Sequence, residues 1–273
     1  MSRPGTLTVY RWELRKLRAQ KRTYLGLGAA VLVPIVFSVA VAIQPGEPAD
    51  VPFGRYINDT GLAFPLVTLL FGSIWFYPLI AALVSGDIVA NEDNNGTLKT
   101  ILTRSVERSQ IFFGKVLAAF SYSILAIILS GVVATIAGII VSGFNPIPTL
   151  SGTLETPERG LLLVAGSLAV YLMPILAISS FALLLSTVFR NSAAAVVGTL
   201  MFSLLLQLVV IIPGLDGLQP YLLSTQFNSW QGLLRTPADW DPIIRAAWVS
   251  AAYAIPSLAI ALTVFLRRDV AGG

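Results

Sequence analysis

The sequence predicts an all-α membrane protein: six transmembrane helices, an N-terminal helix at the membrane surface, and a short cytoplasmic helix between the second and third spans. Three observations predict it. Of 273 residues, 55% are hydrophobic and only 12% are charged, about half the charged share of a soluble domain, and the mean hydropathy is +0.78. Charge is missing from six separate stretches of at least 20 residues, each long enough to cross the hydrocarbon as a helix. Soluble core helices rarely stay apolar for that length. The basic residues between these stretches also gather on one side.

Residues 1–22 read as an interfacial helix. Leu7, Tyr10, Leu14 and Leu17 recur at spacings of three and four, and Arg11, Arg15, Arg18 and Arg22 form a basic stripe beside them. An apolar face at the acyl boundary with arginines among the headgroups suits a helix in the membrane plane. The spans follow at about 23–43, 61–85, 111–141, 160–185, 193–212 and 246–266, with a cytoplasmic tail at 267–273. Pro34, Pro78, Pro174 and Pro256 fall inside four of them and read as kinks or hinges. The third span is longer than a bilayer needs, so it must tilt or project. It carries Ser130, Ala134, Gly138 and Ser142 at intervals of four. Such a stripe lets another helix approach closely, within the bundle or from a second copy.

Between the second and third spans, residues 86–110 read as an amphipathic element on the cytoplasmic side. Asn94 or Asn95 is a candidate cap. Leu98, Ile101 and Leu102 share a face, and Lys99 and Arg104 lie toward the end that favours cations. Segments 44–60 and 143–159 read as short ordered loops. Segment 213–242 is too apolar for a solvated loop, with Tyr221, Leu222, Leu223, Phe227, Trp230, Leu233 and Leu234. It reads as one or two short helices dipping into the outer leaflet. Trp230, Trp240 and Trp248 suit an aromatic belt, and Phe227 with Trp230 is a candidate external gate.

Orientation follows from charge. Fourteen Lys and Arg fall on the side of both termini and four on the other, while acids number six and eight. The termini therefore belong in the cytoplasm, and the net +4 reports topology and attraction to anionic lipid rather than nucleic acid. There is no Cys and no His, which excludes disulfides and removes the commonest general base and metal ligand. No phosphate-binding G-x-x-x-x-G-K-[ST] loop is present. No ionisable residue occupies the middle of a span, which argues against proton- or sodium-coupled carriers. No catalytic or metal-binding constellation appears, and no cofactor is expected on this chain.

The 86–115 segment resembles the type-2 class of ATP-binding-cassette export permeases. The resemblance rests on Glu92, Gly96-Thr97-Leu98, Leu102-Thr103-Arg104, Arg108 and Gly114-Lys115, with Ser105-Val106-Glu107 departing from the family's usual turn. The six-span layout and the closing Arg267-Arg268-Asp269 are similar too. The resemblance implies a transmembrane subunit, not an enzyme, in which residues 86–110 form a coupling helix. Its expected ATPase contacts are Glu92, Thr97, Leu98, Ile101, Leu102 and Arg104. It implies two copies of a separate P-loop ATPase carrying ATP and Mg, and a second permease, identical or homologous. The expected setting is a bacterial cytoplasmic membrane, and the cargo a hydrophobic or amphipathic molecule. A membrane scaffold or assembly factor without a transport path is the alternative. An intramembrane enzyme acting on lipid ranks last, because catalytic groups are absent.

Overall fold

The computed structural model describes residues 5–43, 51–97 and 106–267. α1 (Thr6–Ala19) and α2 (Lys21–Ile43) are separated only by Gln20, whose extended backbone turns the chain. After a 3-10 turn at Gly54–Tyr56 come α3 (Ala63–Gly72), α4 (Phe76–Ser85) and the short α5 (Ala90–Asn94). α6 (Arg108–Ser142) is 35 residues long, about 52 Å at 1.5 Å per residue. A two-stranded antiparallel ladder follows, β1 (Ile147–Pro148) and β2 (Leu154–Glu155), with Ile147 opposite Glu155. α7 (Pro157–Phe189) and α8 (Ser192–Ile211) come next. α9 (Leu223–Gln226) and the 3-10 turns Gln219–Tyr221 and Ser229–Leu234 precede α10 (Asp241–Leu266).

The chain is an all-α membrane protein. Five helices, α2, α6, α7, α8 and α10, are long and apolar enough to cross a membrane. Their outward faces carry exposed Leu32, Val36, Leu205, Leu208, Ile255 and Ile260, apolar surface that lipid would cover. Local sequence sets the helix starts. Thr156 precedes Pro157 at the first position and Glu158 in the first turn of α7, a Pro and acid placement that suits a helix N-terminus. Asn191 caps α8, its Oδ1 accepting from the Ala194 N–H at 3.1 Å. The two-residue α7–α8 link is possible because Arg190 adopts a left-handed conformation, φ 52°.

The expected second span is where the structure differs from a straight helix. α3 and α4 are bent by 66° at the break between them. Pro78 is therefore not an interior proline. It is the third residue of α4, where its missing N–H had no intrahelical partner to lose. Pro34, Pro174 and Pro256 do lie inside continuous helices. The break frees backbone carbonyls, and in an apolar setting these must find partners inside the protein. Gln207 of α8 donates to Ser73 O at 3.4 Å, while Leu69 O and Leu70 O, already bonded by the Ser73 N–H at 3.1 and 3.4 Å, also accept from Tyr171 of α7 at 3.2 Å and Ser73 Oγ at 2.6 Å.

This bent pair forms the centre of the bundle: Phe64, Leu66, Val67, Leu69, Tyr77, Ile80 and Val84 are all buried. α6 packs against it through the small-residue stripe. Ser130 Oγ hydrogen-bonds the Tyr77 hydroxyl at 2.8 Å, and Ser142 donates to Ile57 O at 2.7 Å. Gly138 and Gly61 approach backbone to backbone, so closely that a Cβ on either would overlap the other strand of chain. The stripe thus packs within the bundle.

α1, the α4–α5 turn, the start of α6, the α7–α8 link and the end of α10 gather at one end, the basal end. Arg108 there donates to Leu266 O at 2.9 Å and Phe112 meets Phe265 at 5.6 Å. The β ladder and the 3-10 turns occupy the opposite, distal end, where Leu150 N–H donates to Leu234 O at 2.7 Å.

Candidate functional site

The basal end holds a ring of four alternating charges drawn from three elements. Lys115, the eighth residue of α6, has no exposed surface. Its ammonium meets Glu13 of α1 at 3.1 Å and Glu92 of α5 at 2.7 Å, and donates to Ile88 O at 3.2 Å. Lys16 of α1 closes the ring, 3.0 Å from Glu13 and 2.5 Å from Glu92. Every charge in it faces two opposite ones, which is the condition under which buried ions are tolerated. Burial works against the charge on Glu92, but Lys115 and Lys16 outweigh it and hold its pKa below the ordinary value. Burial likewise opposes the Lys16 ammonium, and Glu92 with Glu13 overcomes it, so its pKa is raised.

A second contact lies one turn before Glu92. Asp87, buried after α4, pairs with Arg22 of α2 and accepts from the Ser192 hydroxyl at the start of α8. Burial raises the Asp87 pKa in spite of these partners. The first N–H groups of α5 are satisfied from α7, where Ser186 Oγ accepts from Val89 and Ala90 at 3.2 and 3.0 Å. Asp93 meets Arg190 at 3.5 Å. Residues 87–93 are thereby held by α1, α2, α6, α7 and α8 together.

α1 turns most of the face that its leucine spacing groups toward the protein, and adds two residues to it. Val9, Glu13 and Leu17 are its buried residues, at intervals of four, with Tyr10 and Leu14 half-buried. Leu7 is 58% exposed. α1 packs along α6, where Gly114 gives Val9 room and the Tyr10 hydroxyl bonds Ser121 at 2.8 Å. Arg11, Arg15 and Arg18 are exposed.

Of the residues expected to contact an ATPase, the structure brings Glu92 into the ring. Thr97 is exposed, its hydroxyl donating to Glu92 O at 3.2 Å. Leu98, Ile101, Leu102 and Arg104 lie outside the described residues. Asn94 ends α5 and Asn95 is its C-cap, so these asparagines close one helix rather than only opening another. Gly96 then takes φ 68°, a left-handed turn that glycine allows cheaply.

The candidate external gate residues are both buried. Phe227 packs on Tyr171 at 5.1 Å, and Trp230 on Phe53 at 6.1 Å. Trp230 has no exposed surface, so it does not belong to an aromatic belt at the lipid boundary. Trp240 and Trp248 remain exposed. Sequence reasoning placed Lys115 in the Gly114-Lys115 motif and among the flanking charges but missed Glu13, Asp87 and Arg22 as partners in these contacts. The available signal was Glu13 itself, the sole acid among the first 22 residues, spaced four from both Val9 and Leu17.

Residues 10–206 match the model of a family described as ABC-2 family transporter protein. The Uncharacterized protein YhcI of Bacillus subtilis (strain 168) is 27% identical over 245 residues, covering 84% of this chain and 73% of that protein. The matched region contains all four members of the charge ring.

Proposed function

Since the chain belongs to the ABC-2 family of transporter membrane proteins, we propose that it is the permease of an ATP-driven exporter whose ATPase is a separate chain. The basal end faces the cytoplasm, and segment 86–110 is the coupling element that docks on the ATPase. One observation carries this reading: residues 87–93 are fastened by ion pairs and hydrogen bonds to five helices. A push on the chain just beyond them is delivered to α1, α2, α6, α7 and α8 at once. Packed elements transmit such displacements as rigid bodies.

On this reading two permeases pair, each with its own ATPase, and ATP with Mg is bound only by the ATPases. The cargo is hydrophobic or amphipathic. An apolar cleft of about 410 Å³ beside the α3–α4 break, lined by Val33, Phe37, Phe71, Trp75 and Phe76, supports that class. The buried packing of Phe227 and Trp230 supports a distal closure that would have to rearrange for release.

The test is purification of the tagged chain from native membranes in mild detergent, with identification of what accompanies it. A stoichiometric protein bearing G-x-x-x-x-G-K-[ST] is the expected result. The variant Leu98→Asp with Leu102→Asp should insert normally and lose that partner. Recovery of the chain alone under several detergents, or undiminished ATPase binding by the double variant, would sink the proposal.

A further inference from the structure

Two unfavourable features meet on one contact at the distal end. Phe53, just before the 3-10 turn Gly54–Tyr56, has φ 66° and ψ −7°. Among the described residues only Arg190 shares a positive φ without being glycine. A bulky side chain adopts this left-handed region only where its surroundings hold it there. Trp230 is what holds it. The two rings lie 6.1 Å apart, and the residues are 2% and 0% exposed. Trp230 carries the second feature. Its indole N–H is buried without a hydrogen-bond partner, whereas buried polar groups in folded proteins are nearly always bonded.

Both features disappear when the rings part. Phe53 is then free to leave the left-handed region, and the indole N–H can reach water. Only packing opposes this, and packing is lost over a fraction of an ångström of separation. The contact therefore has two arrangements, one closed and loaded, one open and relaxed. It is also joined to the centre of the bundle. Phe227, one turn before Trp230, packs on Tyr171 at 5.1 Å, and Tyr171 reaches Leu69 O at the α3–α4 break.

We propose that the Phe53–Trp230 contact is a loaded latch on the distal closure: ring packing holds it shut, while the left-handed Phe53 and the unpaired indole N–H bias it to open. The latch deepens the closure in the proposed export path and rests on that reading for its use. It is tested on the purified chain without an ATPase, so its failure leaves the ATPase pairing standing.

The chain has no cysteine, so one introduced thiol reports opening. Ser229→Cys places it beside Trp230 at a residue 5% exposed, and Ala238→Cys at an exposed position is the accessible control. The full-length protein in detergent is reacted with a charged maleimide, where rates rise in proportion to reagent. Labelling at Ser229→Cys should be far slower than at Ala238→Cys. Replacing Trp230 by 3-benzothienylalanine keeps the ring shape and removes the N–H, and should slow labelling about tenfold further. Phe53→Ala and Phe53→Gly both lose the ring and should both speed labelling. Phe53→Gly should be about fivefold slower than Phe53→Ala, because glycine takes the left-handed conformation without strain. Equal rates for these two variants overturn the proposal, as does an unchanged rate with the benzothienyl ring. So does labelling at Ser229→Cys that matches Ala238→Cys, which would mean that no closed state exists to be latched.

Discussion

Lys115 is a full charge without exposed surface, and it is tolerated only because Glu13 and Glu92 reach it from other elements. Lys115→Met leaves those two carboxylates close together with only Lys16 between them. Removing one partner of a buried ion pair costs about 3–5 kcal/mol, so a clear fall in Tm is expected in detergent. Adding Glu13→Gln should restore part of it, and a cycle without coupling would show that the ring is not a unit. The pH dependence has a definite sign. Glu92 is held below its ordinary value of 4.5, so its stabilisation is present above that value and is lost as pH falls through the lowered one. Lys16, raised above 10.5, contributes below that value and loses its contribution as pH rises through the raised one. Asp87, raised by burial, works against Glu92 on the acid side. Glu92→Gln should therefore flatten the acid loss of Tm below about pH 4.5, measured as Tm against pH. Half of this site was legible in sequence. Glu92, Thr97 and Gly114-Lys115 stood in a recognisable pattern, whereas Asp87 and Arg22 meet only through tertiary folding.

At the scale of elements, the long helices were legible because lipid imposes one rule everywhere: no charge for about 20 residues. α2 and α8 begin and end within two residues of their expected bounds, while α7 and α10 begin earlier than expected. The α3–α4 bend was not legible. A run of apolar residues has the same composition straight or bent, and two of the groups that bond the break, Tyr171 and Gln207, come from α7 and α8. The buried face of α1 was legible in part: Tyr10, Leu14 and Leu17 are half-buried or buried, while Val9 and Glu13 were not singled out. Leucine spacing marks an apolar stripe, but a carboxylate buried by a lysine looks polar in sequence. The α6 stripe yields a direct test. Gly138→Ala places a methyl into the Gly61 backbone, and overpacking of this kind costs about 1–3 kcal/mol. A lower Tm is expected, and an unchanged one would mean that α6 and α3 separate more easily than their packing implies.

At the scale of the whole molecule, charge and hydropathy give the chain an order of passages, and the structure gives it a centre. The passages with long exposed apolar faces surround α3 and α4, which are buried except around their break, where Phe71, Ile74 and Trp75 are exposed. α1 and the end of α10 both come to the basal end, where the charge ring and the Asp87 contacts bind five helices into one corner. The bend at the centre also has a consequence for how the protein is made. Ser73 O accepts from Gln207, 134 residues later in the chain, whereas Leu69 O, which Tyr171 also reaches, already accepts from the Ser73 N–H. During synthesis, residues 63–85 enter the bilayer long before either donor exists. Most carbonyls at the break are met locally, by the Ser73 and Ile74 N–H groups and the Ser73 hydroxyl, but Ser73 O has its side-chain partner only once α8 is made. One carbonyl at the break of the second span is therefore completed by a residue that the ribosome adds four helices later.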